Sequence, residues 1–181
     1  MKRLHSAPLA AILMLAAVAA LATTPLVSRL LPKADQAKGL KVMRGSLIYG
    51  KDSGLADIYD GGYELYTDHG VIDAAQQLYT RDKDVYEVTV HSLKSPREAL
   101  EFLKYWQKEN KINKAEKTDA SVGFTRITAT PAAFYSTKKY LTIVNVSTSK
   151  VNPTTKERAH MASLAKALAM AVENNIKHLA N

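Results

Sequence analysis

Alternation of apolar and polar residues predicts a sheet in the middle of the chain. Residues 71–79 and 85–92 flank a polar five-residue connection that suits a β-hairpin. In the second run, Tyr86, Val88 and Val90 alternate with polar side chains, which predicts one buried face and one face in water. Further strands, rich in β-branched or aromatic residues, are expected over residues 43–49, 122–128, 132–136 and 140–147.

Helical spacing of apolar residues recurs in three segments. Ser95, Pro96 and Glu98 have the pattern of a capping box with proline in the first turn, and this helix should run to about Asn110. A long closing helix is expected to begin at Asn152–Pro153 and to end near residue 179. Residues 55–69 form either one helix or two short helices that meet at a pair of glycines, because glycine costs about 1 kcal/mol in a helix interior.

The order of these elements predicts the fold class. Strands come in antiparallel pairs, and helices are inserted between the pairs. We therefore expect an α+β fold with an antiparallel sheet of five to six strands, helices packed on one face and a long C-terminal helix as a lid. The single domain should cover residues 41–181 and follow a linker over residues 23–40.

The first 22 residues have the order of a secretion signal. Lys2 and Arg3 precede an uncharged apolar stretch that ends in the small-x-small triplet Ala20-Leu21-Ala22. If the signal is not cleaved, the uncharged stretch is long enough to form an N-terminal membrane anchor, since about 20 residues span the hydrocarbon core. Both alternatives place the domain outside the cytoplasm, in the periplasm or the extracellular space.

Composition argues against several kinds of chemistry. The chain has no cysteine, no Gly-x-Ser-x-Gly elbow and no glycine-rich phosphate loop. Its five histidines are scattered and do not have the spacing of a zinc site; they are His5, His69, His91, His160 and His178. The sequence therefore predicts no catalytic residues, no cofactor and no metal site.

A net charge of +8 predicts attraction to anionic partners. For an exported domain, lipid headgroups, cell-wall polymers or acidic proteins are expected as partners, and nucleic acid is not. The densest basic run consists of Lys104, Lys108, Lys111, Lys114 and Lys117. These lysines are interpreted either as a solvated helix end and loop or as an anion-binding surface.

One acidic and tyrosine-rich segment is the candidate ligand-binding surface. Its candidate residues are Tyr59, Asp60, Glu64, Tyr66 and Asp68. In a continuous helix the three acidic residues would share a face and repel one another. Three interpretations stay open: carboxylates that cap backbone around the glycine pair, a groove that binds a ligand, and a general acid–base pair.

The same segment carries a resemblance to a known family. Leu55, Tyr59, Asp60, Gly61, Gly62, Glu64, Tyr66 and Gly70 occur in order and are followed by Ser95-Pro96-Arg97-Glu98-Ala99. This order resembles a prokaryotic family of secreted or lipid-anchored proteins with a Tyr-(Ile)-Asp/Asn-Gly-Gly-x-Glu-x-Tyr motif, although Tyr63 stands where the family usually has alanine. The resemblance implies export and an α+β domain, and it implies no activity, cofactor or catalytic residue.

The leading functional hypothesis is an exported, non-enzymatic domain that binds a small ligand, an envelope component or a partner protein. One alternative is a carboxylate-dependent hydrolase of the cell envelope, which needs two carboxylates in one concave site. The other alternative is a basic adaptor for an anionic membrane or polymer. The oligomeric state is not predicted, and the N-terminal segment is a further candidate for membrane contact.

Overall fold

The computed structural model describes residues 24–179, so the signal expected over residues 1–22 lies outside the described part. The helices are α1 Leu26–Leu30, α2 Ala56–Tyr59, α3 Glu64–Asp68, α4 Pro96–Glu109 and α5 Thr155–Leu179. The strands are β1 Lys41–Val42, β2 Ile48–Lys51, β3 Val71–Arg81, β4 Asp84–Leu93, β5 Glu116–Lys117, β6 Ser121–Arg126, β7 Ala132–Thr137 and β8 Tyr140–Thr148. Between residues 24 and 179, no helix combines the length and the apolar character needed to cross a membrane.

The strands form one antiparallel sheet in the order β1-β3-β4-β8-β7-β6-β5, with β2 also paired to β3. This confirms the α+β class, the antiparallel pairing and the long C-terminal helix. The described residues form eight strands, more than the five to six expected. The difference arises because residues 41–51 supply two short strands in place of one, and because the two-residue strand β5 lies in a polar segment without a strand pattern.

Helices cover both faces of the sheet, so the expected packing on one face is wrong. On one face Tyr135 and Val144 join the core that includes α1 and α5. On the opposite face Phe134 and Ile143 join the core that includes α4 and the contacts of α2 and α3. Every residue of β7 is buried, as expected for a strand covered on both sides.

The face of β4 that was expected to be in water is also covered. Thr89 is 3% exposed and His91 is 0% exposed. Both polar side chains lie beneath the helical layer that packs on this face, and that layer was not visible in the alternation of a single strand.

The segment expected to be a linker over residues 23–40 instead contributes to the core from residue 27 onward. Its buried apolar residues are Val27, Leu30, Leu31, Ala37 and Leu40. The Tyr79 hydroxyl donates to the carbonyl of Pro32 at 2.6 Å, and the Asn175 amide on α5 donates to the carbonyl of Leu30 at 3.1 Å. The segment therefore packs as part of the domain.

The helix starts agree only in part with the expectations. The Ser95 hydroxyl accepts from the Glu98 N–H at 3.2 Å, which confirms the cap of α4. Helix α5 begins after Thr154 and not at Asn152–Pro153, because Thr154 and Glu157 form a reciprocal capping box. The break at the glycine pair is also present, since α2 and α3 are separate short helices.

Candidate functional site

The two candidate tyrosines point towards the sheet. Tyr59 at the end of α2 and Tyr66 in α3 stack with ring centroids 3.6 Å apart. The chain turns between the two helices where Asp60 adopts a left-handed conformation with φ 46°. The Tyr59 hydroxyl forms a hydrogen bond with Nε2 of the buried His91. Because Nδ1 of His91 donates to the carbonyl of Leu141 at 2.9 Å, its Nε2 accepts the Tyr59 proton.

Burial sets the protonation of this cluster. It lowers the pKa of His91 to about 4, and it raises the pKa of Tyr66 to about 12, with a smaller contribution from Glu87. Burial also raises the pKa of Tyr59, to which Tyr66 and Glu87 add. All three side chains are therefore neutral near pH 7, and the hydrogen bond between Tyr59 and His91 joins α2 to the sheet.

The three candidate carboxylates point the other way. Asp60, Glu64 and Asp68 are exposed. Within residues 24–179 their side chains form no hydrogen bond or ion pair, so they neither cap a backbone amide nor share a site with the tyrosines. The structure thus separates the five candidate residues into a packed pair and a solvated set.

A different part of the molecule brings polar side chains together. An open cleft of about 470 Å³ lies between α5 and the edge formed by β5, β6 and the chain after α4. The residues that line it are Ile112, Lys114, Ala115, Glu116, Phe124, Thr125, Ile127, Ala159, Ala162, Ser163 and Lys166. We refer to these residues as the α5 cleft.

Glu116 is the centre of the polar groups in the α5 cleft. Its Oε1 accepts from the Thr125 hydroxyl at 3.0 Å and from the Tyr135 hydroxyl, and its Oε2 accepts from Nζ of Lys166 at 2.5 Å. Burial opposes ionisation of Glu116, but these hydrogen bonds outweigh it and lower the pKa of the carboxyl. Burial and the bond to Glu116 raise the pKa of Tyr135. A hydrogen-bonded carboxylate–lysine pair, partly exposed to solvent, therefore lines the cleft.

A glycine permits this arrangement on the sheet. Gly123 in β6 is paired with Tyr135 in β7, and a Cβ atom at position 123 would overlap the Tyr135 ring and the Phe134 carbonyl. Without a side chain at position 123, the Tyr135 ring lies across the neighbouring strand and its hydroxyl reaches Glu116.

Ser163 and Lys166 have a spacing that some serine acyltransferases and hydrolases use. Here the serine lies well inside α5, so its own N–H belongs to the helix ladder and cannot stabilise an oxyanion. Lys166 is ion-paired with Glu116 and cannot accept a proton while charged. Ser163 and Lys166 therefore do not form a nucleophile–base pair in this arrangement.

Sequence reasoning did not find most of this cleft. Among the residues that line it, Lys114 is the only one of the five candidate lysines. The other four are also exposed but lie elsewhere on the surface. Glu116 and Lys166 are 50 positions apart, and the local Ser163-x-x-Lys166 spacing was the only sequence signal for the α5 side.

Comparisons with known proteins bear on the fold. No family model and no curated protein matches the chain. Among solved structures, the extracellular domain of PknH from Mycobacterium tuberculosis is similar, with a TM-score of 0.56 and 11% sequence identity. The similarity covers 84% of this chain and 95% of that chain. At this identity the likeness concerns the architecture alone.

Proposed function

We propose that this chain is an exported, non-enzymatic binding domain and that the α5 cleft is its ligand site. The observation that carries the proposal is the hydrogen-bonded carboxylate–lysine pair of Glu116 and Lys166, which lines the cleft beside apolar side chains. A few oriented polar groups in an apolar concavity of roughly 300–1,000 Å³ are typical of small-molecule sites. The cleft volume of about 470 Å³ lies in that range.

Binding is favoured over hydrolysis by the state of the acidic groups. A hydrolase with two carboxylates needs both of them at one concave site. Glu116 is the one acidic residue among those that line the α5 cleft, and its pKa is lowered. It therefore stays ionised and hydrogen-bonded, which suits an anchor for other side chains and not a general acid.

Export is supported by the charged, apolar and small-residue order of residues 1–22. The structurally similar PknH domain is itself an extracellular domain, which is consistent with this localisation. Fractionation of cells that express the full chain, with mass analysis of the product, tests it. A product that begins near residue 23, or a full-length product in the membrane fraction, is expected. A full-length product in the cytosol would contradict export.

The binding proposal is tested by blocking the cleft. We expect a thermal-shift screen of the protein from Thr24 onward to identify a compound that raises the melting temperature, because a ligand of the native state stabilises it. Ser163→Trp, at an exposed position inside the cleft, should abolish that shift. Asn174→Trp, at an exposed position on the same helix that is not among the lining residues, should retain it.

The screen should include sugars, peptides, nucleotides, lipids and organic acids. A melting-temperature shift that persists in Ser163→Trp would place the ligand elsewhere and contradict the α5 cleft as the site. The candidate surface around Asp60 and Glu64 would then be tested by alanine substitution, because both side chains are exposed and available to a ligand.

A further inference from the structure

We infer that the ligand of the α5 cleft is a single-chain anionic amphiphile, with its carboxylate or phosphate head at Lys114 and Lys166 and its apolar chain on Ile112 and Ile127. This inference rests on the proposed function and specifies the chemistry of the same site. It follows from which polar groups of the cleft are already engaged and from where its apolar side chains lie.

The charged groups that remain for a ligand are donors. Both carboxylate oxygens of Glu116 already accept hydrogen bonds from the protein. The Lys166 ammonium carries three N–H groups, of which one is directed to Glu116. Lys114 and Ser163 form no side-chain hydrogen bond within residues 24–179. A ligand head that only accepts hydrogen bonds and carries negative charge matches this set.

Charge gives the same preference. The two lysines and one glutamate that line the cleft leave it with an excess of one positive charge. Lys166 is already paired with the ionised Glu116, whereas Lys114 is exposed and forms no ion pair within residues 24–179. The site therefore attracts an anion and repels a cation of the same shape.

The walls of the cleft favour an apolar chain next to that head. Ile127 is 53% exposed at the rim, although it follows the end of β6 directly and lies beside the buried Phe124. The Phe124 ring is 2% exposed and stacks on Phe134 with centroids 4.7 Å apart. An alkyl chain that covers Ile127 and Ile112 removes exposed apolar surface from water.

The test is calorimetric titration of the protein from Thr24 onward with octanoate and octyl phosphate, each below its micelle-forming concentration. Octyltrimethylammonium has the same chain with a cationic head, and inorganic phosphate has the head without the chain. We expect the two anionic amphiphiles to bind at least about tenfold more tightly than either control. Their Kd should increase with ionic strength.

Substitutions separate the head from the chain. Lys114→Met should weaken octanoate binding several-fold, and Lys166→Met should weaken it further, whereas Lys108→Met on the exposed face of α4 should leave it unchanged. Lys166→Met also removes the partner of Glu116 and can lower the stability of the domain. If it does, the Lys114→Met variant alone tests the position of the ligand head. Ile127→Ser should weaken binding, whereas Val151→Ser, at a position 89% exposed outside the cleft, should not.

Each other outcome overturns the inference. Equal binding of the cationic amphiphile, or octanoate binding that both lysine variants retain, contradicts the anion preference. Binding of anionic vesicles without binding of monomeric octanoate shows a membrane surface and not a single-chain ligand. If a different compound binds and Ser163→Trp blocks it, the inference fails while the proposed function stands. If no compound binds in the α5 cleft, both fail.

Discussion

Replacement of Leu30 by alanine tests whether the segment before β1 belongs to the folded domain. Leu30 in α1 is 0% exposed and lies in the core shared with α5. Leu26 in the same helix is 37% exposed and provides a matched control. A linker would tolerate both substitutions equally, whereas a packed helix should distinguish them.

The expected magnitudes follow from burial. Truncation of a fully buried leucine costs about 2–5 kcal/mol of unfolding free energy, because transfer energy is lost and a cavity is left. For a domain of this size each kcal/mol shifts the melting temperature by about 2–4 °C. We therefore expect Leu30→Ala to lower the melting temperature by roughly 6–12 °C for a loss of about 3 kcal/mol. Leu26→Ala should cost less than about 1 kcal/mol.

The assay is thermal and urea unfolding of the protein from Thr24 onward, followed by circular dichroism. A protein that begins at Ala34 lacks α1 and the Pro32 carbonyl that accepts from Tyr79, so it should unfold at lower urea than the Leu30→Ala protein. If Leu30→Ala and Leu26→Ala melt within 2 °C of each other, the packing of α1 contributes nothing measurable and the reasoning is refuted. The same holds if the protein from Ala34 is as stable as the longer one.

Three further predictions concern buried groups. Tyr59→Phe leaves Nε2 of His91 without its donor and should cost about 1–3 kcal/mol in urea unfolding, whereas Tyr63→Phe should cost little. Because the pKa of His91 is lowered to about 4, the unfolded chain binds a proton that the native protein does not bind. Stability should be highest above pH 6.5 and fall by roughly 3 kcal/mol towards pH 4. Gly123→Ala should lower stability by about 1–3 kcal/mol through overlap with the neighbouring strand, whereas Gly54→Ala meets open space and should have a smaller effect.

Each of these predictions has an opposing result. Equal destabilisation by the two tyrosine variants would contradict the donor role of Tyr59. Carboxylates with lowered pKa values, such as Glu116 and Glu173, also reduce the unfolding free energy as the pH falls below their ordinary pKa of 4.5. The interval between pH 6.5 and 4.5 therefore reports on His91. Constant stability across that interval would contradict a buried neutral His91. Gly123→Ala with unchanged melting would show that β6 and β7 can separate without cost.

Local signals in the sequence predicted the elements that depend on neighbouring residues. The capping box at Ser95 and the hairpin between β3 and β4 require only residues close together in the chain, and both are present. The second helical layer could not be predicted in this way. Polar residues such as Thr89 and His91 usually mark a solvated face. Here α2, α3 and α4 cover that face, and this is a property of the tertiary packing.

The linker error has a related cause. Lys33, Asp35 and Lys38 give residues 23–40 a polar composition, whereas the buried positions in this segment are irregularly spaced. Their burial depends on α5, whose Asn175 donates to the carbonyl of Leu30 across 145 positions of sequence. The burial of residues 23–40 can therefore be recognised only once this segment and α5 are placed next to each other.

The α5 cleft could not be predicted either, because its residues come from segments that are distant in the sequence. In the structure, the contacts that line the cleft also hold its edge in place. The short edge strand β5 has only two paired residues, so pairing alone holds it weakly. Three polar contacts fasten β5 and the turn after it to α5: Glu116 with Lys166, Thr118 with Glu173, and Asp119 with Lys177. Because Lys166 needs only one of its three N–H groups for this contact, an anionic ligand can use the others without opening the cleft. The contacts that stabilise the edge therefore also preorganise the site, which reduces the ordering cost of binding.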